Sequence, residues 1–94
     1  MEHLVEDKIG SLRSMNLAAI RSLSDSSEEV QVDGRPASLH VYHEHDLDGG
    51  HRIIVQGIRQ SLTRITALVI PRGFLLNGAD KIRPLRDHEL FAYT

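Results

Sequence analysis

Four of the six histidines in this chain of 94 residues fall in one stretch. It runs His40-Val41-Tyr42-His43-Glu44-His45, then Asp46-Leu47-Asp48-Gly49-Gly50, then His51-Arg52-Ile53-Ile54-Val55. Imidazole is a common metal ligand and the side chain that changes charge near neutral pH. The stretch reads as two strands joined by a turn. Strand alternation puts His43 and His45 on one face with Ala37, Leu39 and Val41, and puts His40, Tyr42 and Glu44 on the other. An odd-length loop brings His51 onto the face of His43 and His45. A five-residue loop sets His45 opposite His51, whereas a three-residue loop sets Leu47 there. Both odd registers also place Ile53 and Val55 beside Val41 and Leu39, while a two-residue Asp48-Gly49 turn scatters the apolar residues. An odd loop is therefore expected.

Three imidazoles on one face, two of them at i and i+2, suit a divalent metal. His43, His45 and His51 would hold Zn²⁺ or Ni²⁺, or Fe²⁺ with Asp46 or Asp48 as the carboxylate. Three protein ligands on zinc leave one position for water, the arrangement used in hydrolysis and hydration. The plainer reading is polar edging where a strand leaves the core, since nothing in the sequence orients the second ring nitrogens at a hairpin tip. A pH-responsive hairpin is the third: clustered imidazoles repel once protonated, so it would loosen below about pH 6.

The His-x-His pair followed downstream by Pro71-Arg72-Gly73-Phe74-Leu75-Leu76-Asn77 resembles, in outline, the motifs of cupin barrels. That family uses His-x-His with a later Glu, then a Pro-x-Gly segment supplying a third His. Here no glutamate follows His45 at that interval and Leu76 stands where the histidine would be, so the chain is not assigned to it.

Other catalytic signatures are absent: there is no Gly-x-x-x-x-Gly-Lys-Ser/Thr, Gly-x-Gly-x-x-Gly or Gly-x-Ser-x-Gly. Asp48-Gly49-Gly50 opens a strand rather than a helix and is a turn, not a phosphate cradle. Tyr42 and Glu44 share a face with His40 and would form an acid–base group only within a pocket. His88, between Asp87 and Glu89, reads as an exposed residue.

The elements that position these groups follow from periodicity. Apolar residues at Val5, Ile9, Leu12, Met15, Ala19 and Leu23 predict an amphipathic helix over Leu4–Leu23. Gly10 and Ser11 weaken its middle, and Ser14 or Asn16 offers a cap for a shorter helix to Leu23. Ser24-Asp25-Ser26-Ser27 reads as a loop. The period then becomes two. Strands are expected over Glu28–Val32, Ala37–His45, His51–Gln60 and Thr63–Ile70, with Asp33-Gly34 as a hairpin turn. Pro71-Arg72-Gly73 predicts a bend or bulge before Phe74. Asn77-Gly78 is a further turn, leading to a short strand at Lys81-Ile82-Arg83. Asp87 would cap a final helical turn through Tyr93.

The expected fold is one α+β domain over residues 1–94, an N-terminal amphipathic helix on an antiparallel meander of four to five strands with a short C-terminal helical turn. In the middle strands both faces carry apolar residues, and one helix covers only one. A second copy packing on Ile54, Ile58, Leu68 and Ile70 is the expected remedy, making the chain a homodimer. The C-terminal Leu90, Phe91 and Tyr93 are the competing cover.

Composition narrows the remaining classes. The chain has no cysteine, which excludes thiolate catalysis and cysteine-based zinc sites and fits a reducing compartment. No apolar run approaches a membrane span, and the acidic N-terminus lacks the order of a signal peptide, so a cytoplasmic location is expected. The net charge of −2 divides into −6 over residues 1–51 and +4 over 52–94. The arginines of the second half are dispersed and lack interleaved aromatics, so nucleic-acid binding is not expected; neutralisation by the acidic half is. Two functional readings result. The first is a non-enzymatic module that self-associates through its sheet, and the second is a metal-binding protein or metal-dependent enzyme using the histidine trio.

Overall fold

The computed structural model describes residues 1–46, 49–60 and 67–93. Helix α1 spans Glu2–Arg13 and buries Val5, Ile9 and Leu12, the spacing expected of an amphipathic helix. The predicted single helix is in fact two. Asn16 caps a separate α2, Leu17–Arg21, its Oδ1 accepting from the Ala19 N–H at 2.8 Å. A short polar side chain that satisfies free N–H groups starts a new helix more readily than it continues an old one. The break also changes the inward residue, so Ile20 is the one fully buried in α2.

Five antiparallel strands follow in meander order: β1 Ser26–Val32, β2 Arg35–His45, β3 His51–Gln60, β4 Ala67–Leu76 and β5 Ile82–Pro84. The expected α+β architecture is thus the observed one. Strand β1 starts two residues earlier than expected. Asp33 and Gly34 take φ of 51° and 75°, the left-handed pair of a tight hairpin turn between Val32 and Arg35. The predicted Thr63–Thr66 part of the fourth strand lies outside the described residues.

No bend or bulge interrupts β4. Its pairing with β3 runs one-to-one from Ala67 opposite Gln60 to Leu76 opposite His51. The reason lies at the outer edge. The Gly73 carbonyl accepts from Leu85 N–H there, and β5 pairs only with Phe74, Leu75 and Leu76. Pro71, two residues before Gly73, turns its nitrogen to the same edge, where no strand needs an N–H.

The sheet is covered on both faces by one chain. Toward the helices, Leu39, Val41, Ile53, Val55, Phe74 and Leu76 pack with Val5, Ile9, Leu12 and Ile20. On the outer face Ile54 and Leu75 pack with Leu85 and Leu90, flanked by Tyr42 and Tyr93. The outer cover is α3, Asp87–Leu90, continued by a 3₁₀ turn over Phe91–Tyr93. Asp87 is not its cap. Arg86 holds that position and donates its N–H to the Glu89 carboxylate at 3.0 Å, as in a capping box.

One glycine on each face admits the cover. A Cβ on Gly57 would lie 2.6 Å from Val5 Cγ2, and one on Gly73 would lie 2.5 Å from the Ile53 carbonyl oxygen and 2.7 Å from Leu85 Cδ1. No helix among the described residues is long and apolar enough to cross a membrane.

Candidate metal centre

The hairpin of β2 and β3 has the odd register that the apolar pattern demanded. His45 pairs directly with His51, so five residues separate the strand ends, and Val41 pairs with Val55. Burial of Leu39, Val41, Ile53 and Val55 on one face holds this register, because a slip of one residue would turn them all outward. Leu47 and Asp48 lie outside the described residues. Around them, Asp46 N–H donates to the Gly50 carbonyl at 2.8 Å, and Gly49 takes a φ of 86°.

His43, His45 and His51 converge. Their ring centroids form a nearly equilateral triangle, 4.7 Å between His43 and His45, 5.0 Å between His43 and His51, and 4.8 Å between His45 and His51. One ligand nitrogen from each lies within 4.8 Å of the others. Tetrahedral zinc with Zn–N distances of about 2.0–2.1 Å sets its ligand nitrogens roughly 3.3 Å apart. His43 Nε2 and His51 Nδ1 stand inside that span at 2.8 Å, so a metal held by both would need the two rings to separate slightly and the His51 proton to shift to Nε2.

The second ring nitrogen of His43 is oriented, which the sequence did not reveal. His43 Nδ1 lies 2.7 Å from the Leu23 carbonyl oxygen. A carbonyl only accepts, so Nδ1 carries the proton and Nε2 of the neutral ring is a lone pair directed at the trio. His51 Nδ1 then donates to it. A backbone carbonyl on the far nitrogen is the usual support of a metal-ligating histidine. Asp25 adds a second link from the same connector, its Oδ1 accepting from the His43 backbone N–H at 2.9 Å. The signal was long-range, between residues about twenty positions apart with no periodicity to announce it.

His51 is held below the ordinary imidazole value, first by desolvation, then by His43 and His45, and last by Arg21. Each disfavours its cation and keeps the ring in the neutral form a metal needs. Arg21 itself pairs with Asp80.

The Fe²⁺ alternative loses its carboxylate. Asp46 follows His45 by one residue and points to the outer face, where its Oδ1 lies 2.8 Å from Arg52 Nε. Asp48 lies outside the described residues. No carboxylate joins the three histidines among the described residues.

The other singled-out groups are elsewhere. His40 is stacked beside Tyr42 on the outer face, with Ser38 Oγ 3.0 Å from its Nε2, and Tyr42 donates to Gln56 Oε1 at 3.3 Å. Tyr93 bonds Glu44 and is pushed up to about 12, chiefly by burial. His88 is exposed. Three arginines of the second half, Arg52, Arg72 and Arg83, are engaged by carboxylates. Arg72 reaches Glu2 at 2.7 Å and Glu6 at 3.1 Å, and Arg83 grips Glu89 at 2.8 and 3.0 Å.

The four residues expected to form a dimer interface do not share a surface. Ile54 is fully buried under the C-terminal segment, and Ile58 lies half-buried further along the same face. Ile70 packs on the helix-side cluster instead, and Leu68, two residues away in β4, lies on that same side and is 44 % exposed. Alternation in β4 assigns even-numbered residues to the helix face and alternation in β3 assigns them to the outer face, because Ile53 pairs with Phe74.

Comparison with known protein families, with curated proteins and with solved structures gives no match for this chain.

Proposed function

We propose that this chain binds one divalent transition-metal ion, Zn²⁺ or Ni²⁺, through His43, His45 and His51. The observation that carries the reading is the Leu23 carbonyl on His43 Nδ1, which fixes the tautomer and aims Nε2 at the other two rings. An imidazole-only donor set suits zinc, nickel or copper rather than magnesium or calcium, which prefer oxygen. The three side chains leave at least one coordination position for water or an incoming ligand. A bound ion would supply Lewis acidity at that position, while the chain supplies the orientation of His43 and a His51 ring held toward its neutral form.

Self-association through the sheet has less to support it. The apolar outer face that motivated it is filled at its centre by Leu85 and Leu90 of the same chain.

The test is direct. Protein purified without a histidine tag should carry or take up one equivalent of Zn²⁺ or Ni²⁺ by elemental analysis and calorimetry, and should melt at a higher temperature with metal present. Absence of both stoichiometric metal and a thermal shift would overturn the reading.

A further inference from the structure

We infer that metal occupancy of the trio controls how firmly the connector between α2 and β1 is held to the sheet, so that this segment reports the metal to the rest of the molecule. The inference rests on the metal reading above.

Strand β1 stops pairing at Ser26, opposite Val41, so the last four residues of β2 extend past it. The connector Ser22-Leu23-Ser24-Asp25 occupies the place where β1 would have continued. Two links join it to β2, and both converge on His43: Leu23 O with the ring Nδ1, and Asp25 Oδ1 with the backbone N–H. Directly before it lie Ile20, fully buried in the core, and Arg21, paired with Asp80. The ring that ties down the connector is therefore also a ligand of the metal.

In the metal-free state His43 Nε2 is occupied by the His51 N–H at 2.8 Å. A metal on Nε2 replaces that soft contact, fixes the ring plane and draws electron density from the imidazole, which makes Nδ1–H a stronger donor to Leu23 O. Coupling between sites is reciprocal, so a firmly docked connector must also raise metal affinity. Asp25 is exposed and takes no part in the core, so its contribution can be removed without disturbing the fold.

Amide hydrogen exchange on the full chain, metal-free and with saturating Zn²⁺, tests this. Exchange at the His43 amide, whose N–H is held by Asp25, should slow by about tenfold on adding Zn²⁺, a size within the usual range of coupling between two sites. Asp25→Ala should keep one-to-one Zn²⁺ binding but with severalfold weaker affinity and a smaller slowing. Asp25→Asn, which retains an oxygen acceptor, should recover most of both. Zn²⁺ bound with unchanged exchange at the His43 amide overturns the coupling and leaves the metal reading standing. Failure of Zn²⁺ to bind at all overturns both. Wild-type affinity and undiminished slowing in Asp25→Ala also overturn the coupling.

Discussion

His43 Nε2 and His51 Nδ1 stand 2.8 Å apart across the β2–β3 hairpin, and the proton between them belongs to His51. That ownership follows from the opposite side of the His43 ring, where the Leu23 carbonyl requires Nδ1–H. In the metal-free chain the two rings thus form a directed relay, from His51 to His43 to the connector backbone. His45 closes the triangle from the exposed side.

His45 is the cleanest ligand to remove, because it is exposed and neither anchors the connector nor takes part in the His43–His51 bond. Exposed substitutions of this kind change stability by only about 0.5 kcal/mol or less. His45→Ala should therefore melt like the parent without metal, yet lose Zn²⁺ affinity by more than about 100-fold, exceeding the usual effect of an outer-shell change. Competition against a chromophoric chelator measures this. Unchanged affinity would remove His45 from the donor set.

In metal-free protein, His51 should take up its proton at lower pH than an exposed histidine, whose value is 6.5. Burial is the main cause, followed by repulsion from the neighbouring rings. A group whose folded value is depressed favours folding above its unfolded value, so this stability is fully present above pH 6.5 and is lost as pH falls through the lowered folded value. Ring-proton shifts in a pH titration report the first effect. Urea midpoints between pH 5 and 8 report the second, and a His51→Gln variant should flatten that leg.

Three glycine substitutions should differ in sign. Gly73→Ala sets a methyl group against the Ile53 carbonyl and Leu85, and should cost about 1–3 kcal/mol as overpacking. Gly57→Ala sets its methyl group 2.6 Å from Cγ2 of Val5, a stiff branched side chain fully buried in α1, and should cost a similar amount. Gly10→Ala, inside α1 with nothing within 4 Å, should stabilise by about 0.5–1 kcal/mol. Urea denaturation ranks them, and a stabilised Gly73→Ala would contradict the close approach of Leu85 to the sheet.

Glu89 fastens the C-terminal cover. The Arg83 guanidinium, with the Arg86 N–H, holds its carboxyl down to about 2 from an ordinary 4.5. The stability it contributes is present above pH 4.5 and disappears as pH falls toward 2. Solvent screens the Arg83 side of the pair and limits the size of the effect. Glu89→Gln should shrink the acid leg of a stability profile between pH 5 and 2 and lower Tm by a few degrees at neutral pH. An unaltered acid leg would assign that stability to other carboxylates.

How much was legible depends on the range of the interaction. The strand pattern, the Asp33-Gly34 turn and the odd β2–β3 loop could be read directly. Each is written in neighbouring residues as a period of two or a turn preference, and register is enforced by a whole apolar face at once. The helical break at Asn16 was visible only as an alternative, since a local cap competes with a continuous apolar stripe. The straight β4 was not legible. Pro71 is harmless only because β5 ends short of it, and that depends on the pairing of a later strand.

The chain's own order of residues thus determined an α+β meander and a histidine trio on one face, because alternation and loop parity are local rules. Tertiary structure alone decided which histidine is oriented and what covers the second sheet face. Leu23 reaches His43 and Leu90 reaches Ile54 through packing between distant segments, and no periodicity encodes such contacts. The same distinction moved Asp46 away from the trio, since the Arg52 beside it lies on the opposite face.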